Sequence, residues 1–143
     1  MISSTEIHKY LCLDYFAQHC GEISNLFAIS AEKGYCSEVF CRQFMTSDYA
    51  MNLDLVPVNE ELPSAAVMIQ EYQKKFNPVS CDDFIDTEVM RWIGHIYCYW
   101  HLTKNESSKE IYQQADYNKM INVYEGMHCI TEDLVIDSLK TNK

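Results

Sequence analysis

Residues 86–101 read Asp86-Thr87-Glu88-Val89-Met90-Arg91-Trp92-Ile93-Gly94-His95-Ile96-Tyr97-Cys98-Tyr99-Trp100-His101. Val89, Trp92, Ile93, Ile96, Tyr97 and Trp100 recur at intervals of three and four, which gathers them on one side of a helix. Asp86 or Thr87 is the expected cap. Glu88 falls in the first turn, where a carboxylate complements the positive end of the helix dipole. Large aromatic and β-branched side chains on one face make this the central core helix, with an end expected near Asn105.

Downstream of it, Ser107 or Ser108 caps a short helix carrying Ile111, Tyr112 and Ala115. Asp116 caps another, with Met120, Ile121, Val123 and Tyr124, closed by Gly126. Thr131 opens the last, with Glu132 and Asp133 in its first turn and Leu134, Val135, Ile136 and Leu139 behind.

Upstream, Ser64 starts a helix through Val67, Met68, Glu71 and Tyr72 to about Lys75, and Asn77-Pro78 stops it. Leu55 to Pro63 reads as a polar loop bracketed by Pro57 and Pro63. Ser47-Asp48 begins a short helix to Leu53, and Ser37 caps one that presents Phe40 and Phe44 together. Ser3 to Glu6 has capping-box spacing, and the apolar stripe that follows is interrupted at Gly21. A second helix then covers Ile23 to Glu32, with Gly34 placed to end it in a left-handed conformation. Four glycines and three prolines leave little for a many-turned β fold. The expected fold is therefore all-α: one domain over residues 1–143, a bundle of seven to nine short helices around the aromatic helix. Val56-Pro57-Val58 and Pro78-Val79-Ser80 are short enough to form an extended pair beside it.

Eleven basic residues face 21 acidic ones, a formal charge of −10 on 143 residues. A phosphate backbone is repelled by such a surface, so direct nucleic-acid binding is disfavoured. No stretch of about 18 apolar residues is present to span a membrane. Seven cysteines, an odd number, with no basic and apolar leader ahead of them, suit free thiols in a reducing cytosol. The acids concentrate between Gln43 and Met90, where Lys74 and Lys75 are the sole bases.

Asp48, Asp54, Glu60, Glu61, Asp82, Asp83, Asp86 and Glu88 are the candidate carboxylates of a partner-binding face. Phe84 and Ile85, enclosed by four acids in seven residues, are its candidate apolar anchors, together with Tyr99. The bland alternatives are a solvated surface and a helix N-terminus that favours acids. His95, Cys98 and His101 recur every three residues, and two of them could share a metal with a ligand from elsewhere. The competing reading makes them half-buried polar residues among aromatics. No nucleophile, Gly-rich phosphate loop or paired metal-ligand signature stands out, so no catalytic residue and no cofactor is assigned.

Trp92-Ile93-Gly94, Tyr97, Tyr99-Trp100-His101, Ser107-Ser108-Lys109-Glu110-Ile111-Tyr112 and the acidic helix around Thr131-Glu132-Asp133-Leu134 resemble a family of small uncharacterised bacterial and mobile-element accessory proteins found near toxin-like or defence genes. A weaker likeness lies in Ser37-Glu38-Val39-Phe40 with Phe44-Met45. The resemblance implies an antitoxin or inhibitor role and carries no catalytic residues. Taken with the charge, it leads to an acidic, non-enzymatic binder of a basic protein, a nuclease or toxin, of the antitoxin or anti-CRISPR type. The alternatives are a small metal- or thiol-dependent enzyme built on His95, Cys98 and His101, and a homodimeric regulatory scaffold.

Overall fold

Gly94 sets how closely the two longest helices approach. In the computed structural model, which describes residues 4–81 and 85–141, with side chains from 14 to 140, α1 (Ser4–Glu32) lies along α5 (Thr87–Lys104) in the most extensive interface of the chain. A Cβ at Gly94 would stand 2.9 Å from the Ile23 carbonyl oxygen and 2.8 Å from Phe27 Cγ. Only hydrogen fits there, so the α1 backbone closes directly onto α5. Phe27 then reaches Phe40, Phe44 and Tyr97, each edge-on with ring centroids 5.1 to 6.0 Å apart. This aromatic cluster, with Leu26, Met68, Met90, Ile93, Ile96, Trp100, Ile111, Met120 and Ile136, is the core.

Six further helices surround this pair: α2 (Ser37–Met45), α3 (Asp48–Asp54), α4 (Ala65–Lys75), α6 (Ser108–Gln114), α7 (Tyr117–Met127) and α8 (Glu132–Thr141). The all-α expectation holds among the described residues, with eight helices and no strand. Most starts follow from side-chain caps. Ser47 Oγ accepts from Ala50 N–H, Ser64 Oγ from Val67 N–H, Asp86 Oδ1 from Glu88 N–H, Ser107 Oγ from Glu110 N–H and Asp116 Oδ1 from Lys119 N–H. Asn105 ends α5 at φ 55° and Gly34 follows α1 at φ 76°, both in the left-handed region. No helix among the described residues is long and apolar enough to cross a membrane.

Four expectations are corrected. Gly21 does not divide the first helix: α1 runs through it, because Cys20, Ile23, Ser24 and Phe27 are all buried around it. Burial of that face outweighs the roughly 1 kcal/mol a helical glycine costs. Gly126 likewise lies inside α7. Ser37 is not the cap of α2. Cys36 takes that place, since its N–H bonds the Val79 carbonyl at 2.5 Å and Tyr35 bridges Ser80, fixing extended backbone one residue earlier. That same bridge replaces the extended pair expected between 56–58 and 78–80. The cap at Ser3 to Glu6 lies outside the described side chains.

Candidate partner-binding surface

The carboxylates gathered in sequence between 48 and 88 do not form one face. Asp86 and Glu88 stand at the N-terminal end of α5, whereas Asp54 touches the chain around His101 and Ser108 at the other end. His101 lies thirteen positions beyond Glu88 on the helix, roughly 20 Å along the axis. The single outward acidic face expected from sequence is thus two separate regions.

At the C-terminal end of α5 the polar groups are turned on one another. Asp54 Oδ2 accepts from the Ser108 N–H and Oδ1 from the Ser108 hydroxyl, both at 2.8 Å. These bonds satisfy a free donor in the first turn of α6. His101 places Nδ1 2.6 Å from the Glu106 carbonyl and Nε2 3.2 Å from the Asp54 carbonyl. Carbonyls only accept, so each of these contacts is a hydrogen bond only where the ring nitrogen carries a proton, and Asp54 Oδ1 lies 3.7 Å from Nδ1. Together with His19, Tyr97 and Cys98 these residues line a cavity of about 30 Å³. That is room for about one water. The Cys98 thiol is pushed well up by its hydrogen bond with Cys20 and by burial, which keeps it protonated and unreactive. Nearby, Glu106 takes hydrogen bonds from Trp100, Gln114 and Lys140. Partial burial would raise its carboxyl, but these three donors pull it down to about 2.

The same end of the molecule fixes the loop between α3 and α4. His19 Nε2 meets the Glu60 carbonyl at 2.5 Å, and the Gln18 amide both donates to and accepts from the Leu62 backbone at 2.9 Å. Glu22 accepts from Ala65 N–H. Leu62 is buried by this arrangement, while the Glu60 and Glu61 side chains stay exposed. On α3, Ala50 is buried and Leu53 half-buried, which turns the other side outward: Met51 is 53% exposed and Leu55, at the helix end, 75%. Asp48 is exposed on the same short helix, and no Lys or Arg occurs from 43 to 73. An exposed apolar pair four residues apart, on a stretch that carries Asp48, Glu60 and Glu61 and no Lys or Arg of its own, is what α3 and its loop present.

The remaining candidates are occupied within the chain or lie outside the described residues. Asp86 caps α5, and Glu88 is 3.5 Å from Arg91 Nε. Ile85 is half-buried against the core. Asp82, Asp83 and Phe84 lie outside the described residues. Tyr99 packs edge-on against Phe16 of α1 at 5.5 Å and donates to Asp133 of α8. It therefore serves the α1–α5–α8 packing. His95, Cys98 and His101 diverge to Glu132, Cys20 and Asp54 respectively. Among the described residues, no three His, Cys, Asp or Glu side chains gather where they could hold a metal ion.

Met51 and Leu55 were not among the residues singled out from sequence. Their signal was present in the spacing of α3, where Ala50 and Leu53 share the opposite side, but a seven-residue helix gives too few positions to tell inside from outside. A comparison with known protein families, with curated proteins and with solved structures finds no match to this chain.

Proposed function

We propose that this chain is a non-enzymatic, acidic protein-binding module, working in the cytosol as an inhibitor or antitoxin. It covers the phosphate-binding surface of a basic, nucleic-acid-handling protein such as a nuclease or toxin, in the manner of an anti-CRISPR protein. The observation that carries this reading is the α3 surface: exposed Met51 and Leu55 among Asp48, Glu60 and Glu61, on a stretch of 31 residues (43 to 73) without a base. Apolar anchors at the centre of an interface supply most of its energy, and carboxylates around them steer a cationic surface into register. Carboxylates presented this way compete with phosphates for the same lysines and arginines.

The test is capture of the partner from the native host, followed by assay of the captured protein's nucleic-acid binding with and without this chain. Competition is expected, weakening as salt rises. Two surface variants should each weaken it about tenfold without loss of fold: Met51→Ser with Leu55→Ser, and Glu60→Lys with Glu61→Lys. A partner that keeps its nucleic acid in the presence of this chain, or a complex indifferent to salt and to both variants, would overturn the reading.

A further inference from the structure

At the N-terminal end of α5 the surface opens into a hollow of about 320 Å³. Rings of Trp92, His95, Tyr124 and His128 line it, with Ser24, Glu88 and Arg91 beside them. Trp92 and Tyr124 meet at a 77° angle with centroids 5.4 Å apart, and His128 stacks on Tyr124 at 4.4 Å. Trp92 was assigned from sequence to the buried face, yet it is only half-buried, at the border of the core. Three carboxylates act on this corner. Partial burial and then the fields of Asp86, Glu125 and Glu88 push the Tyr124 phenol up. Glu88 lines the hollow itself. The cation already there, Arg91, is held by Asn25 and Glu88. Three negative charges against one positive leave the corner electronegative, and aromatic ring faces add to that field.

We infer that this hollow is a receptor for a single arginine side chain of a partner protein. A guanidinium is planar and weakly hydrated. It stacks on an aromatic face while its N–H groups reach carboxylates, so a ring corner edged by Glu88 matches both of its properties. The volume suits a side chain or small ligand. The inference rests on the proposed basic partner only for the source of that arginine. It also gives the two acidic regions separate roles, with the α3 surface seating an apolar contact and the α5 hollow taking a defined cation.

The experiment uses the intact chain and a small probe, N-acetyl-arginine methylamide, followed by NMR. The neutral citrulline amide, of nearly the same shape, is the control. The arginine amide should shift the indole N–H of Trp92 in a saturable, millimolar titration. The Trp100 indole, buried and bonded to Glu106, should stay put. Citrulline should leave both unmoved. Tyr124→Leu should weaken binding about tenfold and Glu88→Gln about threefold. Because Tyr124→Leu removes a partly packed ring, retention of the Trp100 resonance serves as the check that the fold is intact. Equal response to both amides, no response to either, or unchanged affinity in both variants would overturn the inference. Failure here with competition intact in the partner assay sinks the hollow alone. Arginine binding without a basic partner sinks the proposed function alone.

Discussion

At the C-terminal end of α5, Asp54, His101 and Ser108 are bonded to one another beside a cavity that fits little more than a water, and Glu106 ties His101 to Trp100 next to them. At its N-terminal end, Glu88, His95, Trp92, Tyr124 and His128 border an open hollow roughly ten times larger. The residue types are nearly the same. What differs is how tightly the polar groups are enclosed: those at the closed end hold one another at hydrogen-bond distance, whereas Glu88 and His95 stand 3.5 and 3.8 Å from Arg91 and Glu132 on an open surface. A carboxylate that caps a helix is part of the scaffold, whereas one in a loose surface pair beside aromatic rings can exchange that pair for an outside cation.

The seam between the two ends gives the largest expected effect. Gly94→Ala should destabilise the fold by about 3 kcal/mol in urea unfolding, because the new methyl meets the Ile23 carbonyl, which cannot move without shifting α1. Both ends should loosen together. A variant of unchanged stability would mean that the two helices are not in close contact. Next is Asp54→Ala, which strips the Ser108 N–H and hydroxyl of their acceptor and removes the charge facing His101. A loss of about 2 kcal/mol is expected in the same measurement.

Acid should also act at the closed end. The Glu106 carboxyl sits at about 2 in the fold, below its ordinary 4.5. A depressed acid contributes stability that is complete above pH 4.5 and disappears as pH falls toward 2. Glu106→Gln should remove that part of the acid dependence of the melting temperature; an unchanged profile would place the dependence elsewhere. Gly21→Ala makes the contrast with Gly94 sharper. Nothing lies within 4 Å of a Cβ at Gly21, so alanine there should raise stability by about 1 kcal/mol. The smallest effect belongs to the open end. Glu88→Gln should change unfolding by less than about 0.5 kcal/mol while still reducing arginine-amide affinity, which is the signature of a group that acts outward.

Much of the helical frame was legible in the residues themselves. The α5 face, its Asp86 cap and its end at Asn105 follow from spacing and local chemistry, as do the starts at Ser47, Ser64, Ser107 and Asp116. Gly21 and Gly126 misled because a glycine's local cost is visible in sequence and the tertiary cover that outweighs it is not. The acids were harder to sort. Asp54 looks like any surface aspartate until Ser108, 54 residues away, is found on its carboxylate. Tyr99 and Trp92 were exchanged for the same reason. One helical face distinguishes near from far, but α1, α7 and α8 decide which aromatic ring is covered.

The docking of α1 on α5 also shapes how the chain is made. Ser24 and Arg91, joined across the seam, are 67 residues apart, so α2, α3 and α4 are all enclosed in the loop that this docking closes. During synthesis the buried side of α1 waits for α5 to leave the ribosome. The earlier-emerging α2, whose Phe40 and Phe44 meet Phe27, and then α4, which packs on α1 more extensively, are the first elements able to shelter it. Docking of α5 onto α1 is therefore a contact of high sequence separation, the kind whose loop-closure entropy slows folding.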